Sequence, residues 1–246
     1  MTEERPQQAG IAHWRDPQVP GYGAPGHGFP GSALAPPAAS PVPVHFYHLY
    51  AAGGGWPRVA SEHFTALGQA GFTGEVRVGL VGSLGARQSA RNWLEGAWPA
   101  WTQAASAEYG FEHVTLRALH AAVQGLPVNT PVLYAHTKGG WRQTPHQDLW
   151  RQCMQGACVT RWRECTAALG DGHDAAGAHW LPADGKVVGV PMFAGNFWWA
   201  TAGYLAGLPG IRHRDRYDAE AWVGLGDPKV LDLVPAGWPW HPHRLG

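Results

Sequence analysis

Charge of either sign is scarce: Asp, Glu, Lys and Arg make up 15% of the 246 residues, against roughly a quarter in ordinary soluble domains. Lys plus Arg equals Asp plus Glu at 18 each, so no net field draws the chain toward nucleic acid or an anionic membrane. Cysteine is scarcer still. Cys153, Cys158 and Cys165 crowd into one expected helix with no paired C-x-x-C, which excludes a disulfide framework and fits buried thiols in a reducing compartment. The opening MTEERPQQAG holds no apolar run, so no secretory signal is read there and a cytoplasmic location is expected. The longest uncharged stretch, Val187 to Ile211, is broken by Gly189, Pro191, Gly195, Asn196, Gly203, Gly207 and Pro209. It reads as a buried strand entering a short helix, with no membrane span.

Several catalytic signatures are also missing. No G-x-G-x-x-G follows a strand, and there is no G-x-x-x-x-G-K-[ST], G-x-S-x-G or H-E-x-x-H. Their absence counts against dinucleotide, P-loop, serine-hydrolase and zinc-protease chemistry.

What is abundant is glycine, proline and tryptophan, at 34, 21 and 14 residues. Residues 1–41 hold 6 of the glycines and 8 of the prolines. Such a segment buries too little to offset its ordering entropy, so a disordered arm is expected there, followed by one domain over 42–246.

From Val44 the pattern alternates strand and helix. VHFYHLY (44–50) is a β-branched and aromatic run ending at AAGGG, and Trp56, Ala60, Phe64 and Leu67 then mark one helical face closed by Gly71. EVRVGLVG (75–82) and PVLYAH (131–136) read as further strands and 111–116 as a short one; 87–108 reads as a helix interrupted at Pro99, with another over 118–126. A long helix is expected over 147–169, with Leu149, Cys153, Cys158, Trp162, Cys165 and Leu169 turned inward. Strands around 174–181 and 191–199 and helices around 201–208 and 218–224 complete the reading. The alternation predicts an α/β architecture with a mostly parallel sheet flanked by helices.

Ligands in open α/β sheets collect beyond the carboxyl ends of strands. Four loops of suitable composition are AAGGG (51–55), HTKGGWR (136–142), GNFWW (195–199) and RYDAEAW (216–222). In the second, His136 and Lys138 follow a buried strand beside Gly139 and near Trp141 and Arg142, where a cation and backbone N–H groups could neutralise a diphosphate. In the last, Asp218 or Glu220 could take a proton from an attacking hydroxyl. In the third, Asn196 with Trp198 or Trp199 could meet a sugar or base, because successive strand residues face opposite sides and indole faces stack on both. Arg142, Arg151, Arg161 and Arg163 with Lys138 make 138–163 locally basic, a candidate phosphate track. HPH at 241–243 is a weak metal candidate.

Taken in order, HFYHLYAAGGGW, VLYAHTKG, Trp150–Arg151, RWREC, HWLP, FAGNFWWATAGYLAGLP and RYDAEAWVG resemble a family of small bacterial and phage glycosyltransferase-like proteins with a GT-A-type, Rossmann-like nucleotide-sugar fold. The resemblance spans about 44–233. It implies transfer of a sugar from a nucleoside-diphosphate donor to an acceptor hydroxyl, on a glycan or on a hydroxymethylated base of phage DNA. It assigns donor binding to Tyr47, His48, Tyr50, Ala51, His136, Lys138 and Gly139. Acceptor binding falls to Asn196, Trp198, Trp199, Trp141 and Arg142, and the catalytic base to Glu220 or Asp218. The family's D-x-D metal element has no counterpart, and YAHTKG occupies its place, which leaves a divalent metal in doubt. Two other readings are a non-catalytic carbohydrate-binding module that uses exposed Trp and, motivated only by 14 scattered His, a metal hydrolase.

Overall fold

The computed structural model describes residues 41–141, 143–183, 190–212 and 217–234. The expected N-terminal arm, Arg142 and the 241–243 histidines lie outside them.

Nine strands and seven helices follow one another in these segments. The strands are β1 (Val44–Tyr50), β2 (Glu75–Val81), β3 (Thr102–Ala107), β4 (Pro131–His136), β5 (Ala175–Gly177), β6 (Trp180–Leu181), β7 (Met192–Phe193), β8 (Trp198–Thr201) and β9 (Val230–Asp232). The helices are α1 (Trp56–Gln69), α2 (Leu84–Ala97), α3 (His113–Val123), α4 (Pro145–Gln155), α5 (Trp162–Gly170), α6 (Ala202–Ala206) and α7 (Tyr217–Ala221).

Seven strands form one sheet in the order β3-β2-β1-β4-β8-β5-β9, and β6 pairs with β7 separately. Strands β1 to β4 run parallel, β8 is antiparallel to both its neighbours, and β5 and β9 pair in parallel. This is the mostly parallel, helix-flanked α/β layout expected from the sequence.

Alternation along the central strands divides the core into two layers. Tyr47, Leu133 and Trp199 point into the layer shared with α1, α2, α4 and α5. Phe46, Tyr134 and Trp198 point into the other, shared with α3, α6 and α7. Each β8 indole thus belongs to the core, and the tryptophan surplus is largely packing. Trp199 donates its Nε1–H to the Cys158 carbonyl at 2.7 Å, which satisfies its polar edge inside the apolar layer.

Helix boundaries follow local chemistry. Thr144 caps α4 by accepting from the Gln147 N–H at 3.2 Å with Pro145 in the first turn, and Ser83 caps α2. Three expectations are corrected here. The 87–108 helix ends at Ala97, since Pro99 supplies no N–H to extend it, and the chain re-enters the sheet as β3. The 111–116 strand is instead the start of α3. The long 147–169 helix is two helices joined by a π-helical turn over Gly156–Thr160, with Cys158 and Cys165 buried as expected but Leu149 exposed. The inserted residue per turn re-aims α5 relative to α4.

Candidate functional site

Strands β1 and β4 run side by side in parallel and end together, at Tyr50 and His136. A cavity of about 520 Å³ opens beyond these ends, lined among others by His48, Tyr50, Glu112, Lys138, Trp141 and Glu220. It lies where the α/β rule puts ligands.

The floor is built by backbone. The Thr137 N–H bonds the His48 carbonyl at 3.0 Å, and its hydroxyl accepts from the Tyr50 N–H at 2.9 Å. These bonds carry β1–β4 pairing into the turn over 137–140. Gly139 holds φ at +78° there, and a Cβ on it would meet Arg151 Nη1 at 3.2 Å. The glycine run after β1 packs closely against the same turn: a Cβ on Gly55 would lie 2.5 Å from the Gly140 carbonyl oxygen. The two glycine-rich loops are therefore permissive for each other.

Beneath the turn, Arg151 is fully buried. Its guanidinium donates to Glu62 at 2.7 Å, to Asp148 at 2.8 Å and to the Lys138 carbonyl at 3.1 Å. Arg58 binds the same two carboxylates from outside, at 2.7 and 2.9 Å. The Lys138 ammonium projects into the cavity, 4.0 Å from the Glu220 carboxylate and 4.4 Å from the centre of the Trp150 ring.

A second constellation lies beside it. His136 Nε2 is 2.9 Å from the Gly195 carbonyl, which only accepts, so this nitrogen carries hydrogen. Its Nδ1 is 3.0 Å from Glu112 Oε1, a contact that holds one further proton between the two groups. Burial pushes His136 down to about 3, with Lys138 adding to the effect and the Gly195 bond and Glu220 opposing it. The imidazole thus resists taking on charge. Asn196 donates to the other Glu112 oxygen at 2.5 Å and accepts from the Trp198 indole N–H at 2.7 Å. Because an indole is only a donor, this bond fixes which way the Asn196 amide faces. Asn196 sits at φ +60°, after Gly195 at +91°. His48 bonds Thr115 through Nδ1 at 2.8 Å, and burial lowers it to about 3, reinforced by His136 and His113.

Of the residues singled out from sequence, His48, Tyr50, His136, Lys138, Gly139, Trp141 and Glu220 line the cavity together. Trp141 is 71% exposed, with its ring 6.1 Å from that of Tyr50. Others are corrected. Tyr47 and Ala51 are buried in the core rather than facing the cavity, because β1 alternation turns Tyr47 onto the α1 layer. Trp198 and Trp199 are fully enclosed. Asn196 reaches Glu112 rather than the open space, and Asp218 does not line it. Of the basic stretch, Arg151 is internal, Arg161 pairs with Glu164 on the surface, and Arg163 lies over Trp162 while bonding the Ala70 carbonyl. Glu112 was missed. Its only signal was an acidic residue just ahead of an apolar helical period, and its partners are 24 and 84 positions away.

Among the described residues, no group of three or more His, Cys, Asp or Glu is placed to hold a metal ion. The carboxylates in the cavity face His136 and Lys138 instead. The donor set among the described residues does not fit a divalent cation.

A family model described as "Domain of unknown function (DUF8361)" matches residues 46–213. No curated protein matches the sequence. Among solved structures, the chain is similar to a 4-diphosphocytidyl-2C-methyl-D-erythritol synthase at 13% identity and TM-score 0.46, over 85% of this chain and 99% of that one. It is also similar to the enzyme of that name from Anaerococcus prevotii DSM 20548, at 9% identity and TM-score 0.41, over 79% and 90%. Likenesses this distant say nothing of what the cavity binds. No helix among the described residues is long and apolar enough to cross a membrane.

Proposed function

The chain belongs to the DUF8361 family, and we propose that it is a glycosyltransferase that moves a sugar from a nucleoside-diphosphate donor to an acceptor hydroxyl. The observation that carries this reading is the pairing of Lys138 and Glu220 across a cavity at the carboxyl ends of β1 and β4. A diphosphate brings negative charge and needs a cation; an acceptor hydroxyl needs a base. One cavity offers both.

In the reaction, the acceptor oxygen attacks the anomeric carbon as its proton passes to Glu220. The bond from that carbon to the diphosphate breaks, its electron pair leaves on the diphosphate, and Lys138 meets the developing charge. His48, Tyr50, His136 and Gly139 surround the donor, and the exposed face of Trp141 stacks on its sugar or base. Glu220 is preferred to Asp218 as base because it lines the cavity. A glycan or small hydroxyl acceptor is preferred to DNA, since Arg151 is internal and Arg161 and Arg163 are already paired with other groups of the chain.

Release of nucleoside diphosphate from a panel of sugar nucleotides, with and without EDTA, tests the reading. Turnover is expected in both conditions. Glu220→Gln is expected to lower kcat by roughly 10²–10⁴-fold with donor KM nearly unchanged. Absence of turnover and of any thermal shift with every donor, or Glu220→Gln at wild-type rate, would refute it. Sugar binding without turnover would favour a carbohydrate-binding module.

A further inference from the structure

Two consecutive residues of α4 hold the two ends of Lys138. Arg151 donates to its carbonyl oxygen at 3.1 Å, and the Trp150 ring lies 4.4 Å from its ammonium. The first contact fixes the backbone of the turn, and the second fixes the direction of a side chain that would otherwise sample many rotamers.

Trp150 is itself seated. It packs against Leu181 and Met192 of the small β6–β7 sheet and against the adjoining Ala194. A Cβ on Gly195 would meet its Cζ2 at 3.1 Å, so a glycine there leaves the space that the indole fills. Its Nε1 is buried with no hydrogen-bond partner among the described residues. What the ring gains at this position is the cation against its face. The Lys138 side chain is 17% exposed, as is that of Glu220 opposite, so the ammonium is held between a π face and a carboxylate with one open side toward the cavity.

We infer that Trp150, with Arg151, is the positioning element for Lys138, and that it makes this lysine a pre-aimed cation for the diphosphate of a ligand. The inference rests on the reading of Lys138 given above. Trp150 acts only through Lys138 and does not touch the ligand.

A double-mutant cycle on the full chain tests this. Affinity for uridine, guanosine and thymidine diphosphates and for inorganic pyrophosphate is measured by calorimetry for wild type, Trp150→Leu, Trp150→Phe, Lys138→Met and the Trp150→Leu/Lys138→Met pair. Trp150→Leu is expected to weaken binding about tenfold, while Trp150→Phe, which keeps a π face, stays within about threefold. In the Lys138→Met background, Trp150→Leu is expected to have no further effect, an outcome that a merely structural role would not produce. Should Trp150→Leu not fold, Trp150→Met replaces it with less loss of volume. Additive losses, or a Trp150→Leu protein that binds as tightly as wild type, overturn the positioning role alone. Failure of every probe to bind the wild type overturns the nucleotide reading itself, and the role of Trp150 with it.

Discussion

Asn196 shows how much rests on one side chain. It is fully buried, adopts a left-handed backbone, and links the Trp198 indole to Glu112 by hydrogen bonds of 2.7 and 2.5 Å. Asn tolerates that conformation better than most residues. Asn196→Ala strands the indole N–H, worth about 1–3 kcal/mol, and adds strain of about 1 kcal/mol at positive φ. A loss of about 3 kcal/mol is expected in urea unfolding at neutral pH. Asn196→Asp should lose more, because an acceptor replaces a donor opposite the Glu112 carboxyl. Its deficit should shrink as pH falls through the carboxylate range, where the introduced carboxyl takes up a proton and can donate again. Equal losses for the two variants at all pH values would refute this account. The sequence marked Asn196 as important but as a ligand contact. Glu112, which it serves instead, is 84 positions away, and no local pattern encodes that pairing.

Elements defined by local periodicity were the most legible. The 44–50 and 131–136 strands match β1 and β4 in full, and α1 starts at the expected Trp56. Segments where tertiary context decides were less so. The π-helical turn after Gln155 and the conversion of 111–116 into the entry to α3 have no distinctive composition. The helix before the π-helical turn, α4, presents Arg151 to the turn after β4. Arg58 already shares Glu62 and Asp148 with Arg151, so removing Arg151 does not leave either carboxylate without a cation. Arg151→Met should therefore cost about 2 kcal/mol rather than the roughly 3–5 kcal/mol of a broken buried pair. Its clearer signature should be local: faster amide exchange at 138–140, where the Lys138 carbonyl loses its donor, with protection of β1 and β4 unchanged. Unaltered exchange in the turn would show that the glycine loops alone hold it.

At the scale of the whole molecule, three histidines with no acidic partner among the described residues are closed inside the fold. His45 donates from Nδ1 to the Leu133 carbonyl at 3.3 Å, and its Nε2 lies 2.8 Å from that of His63. The carbonyl fixes the tautomer of His45, so His63 is the donor in the pair, and His45 must be neutral to accept its hydrogen. His48, bonded to Thr115, faces His113 and His136. Burial is the leading cause in each case: it lowers His45 and His48 to about 3 and His63 well below its ordinary value. The unfolded chain protonates these rings near pH 6.5, so below that pH it binds protons that the folded state does not. Stability is complete above about pH 6.5 and falls as pH drops toward the folded values, by about 1.4 kcal/mol per unit for each ring. Three rings give about 4 kcal/mol per unit, or about 6 kcal/mol lost between roughly pH 6.5 and 5.0, which rivals the net stability of a domain of this kind. Acid unfolding is therefore expected between about pH 6 and 4.5, above the range in which carboxylates titrate. His136 is left out of the sum because Glu112 shares a proton with it. Urea midpoints measured at half-unit intervals should show a slope equivalent to about three protons below about pH 6, and His48→Gln, which can still bond Thr115, should reduce it by about one. A stability profile flat down to about pH 5 would show that these rings can be charged in place, and that the space around β1 is more open to water than its packing implies.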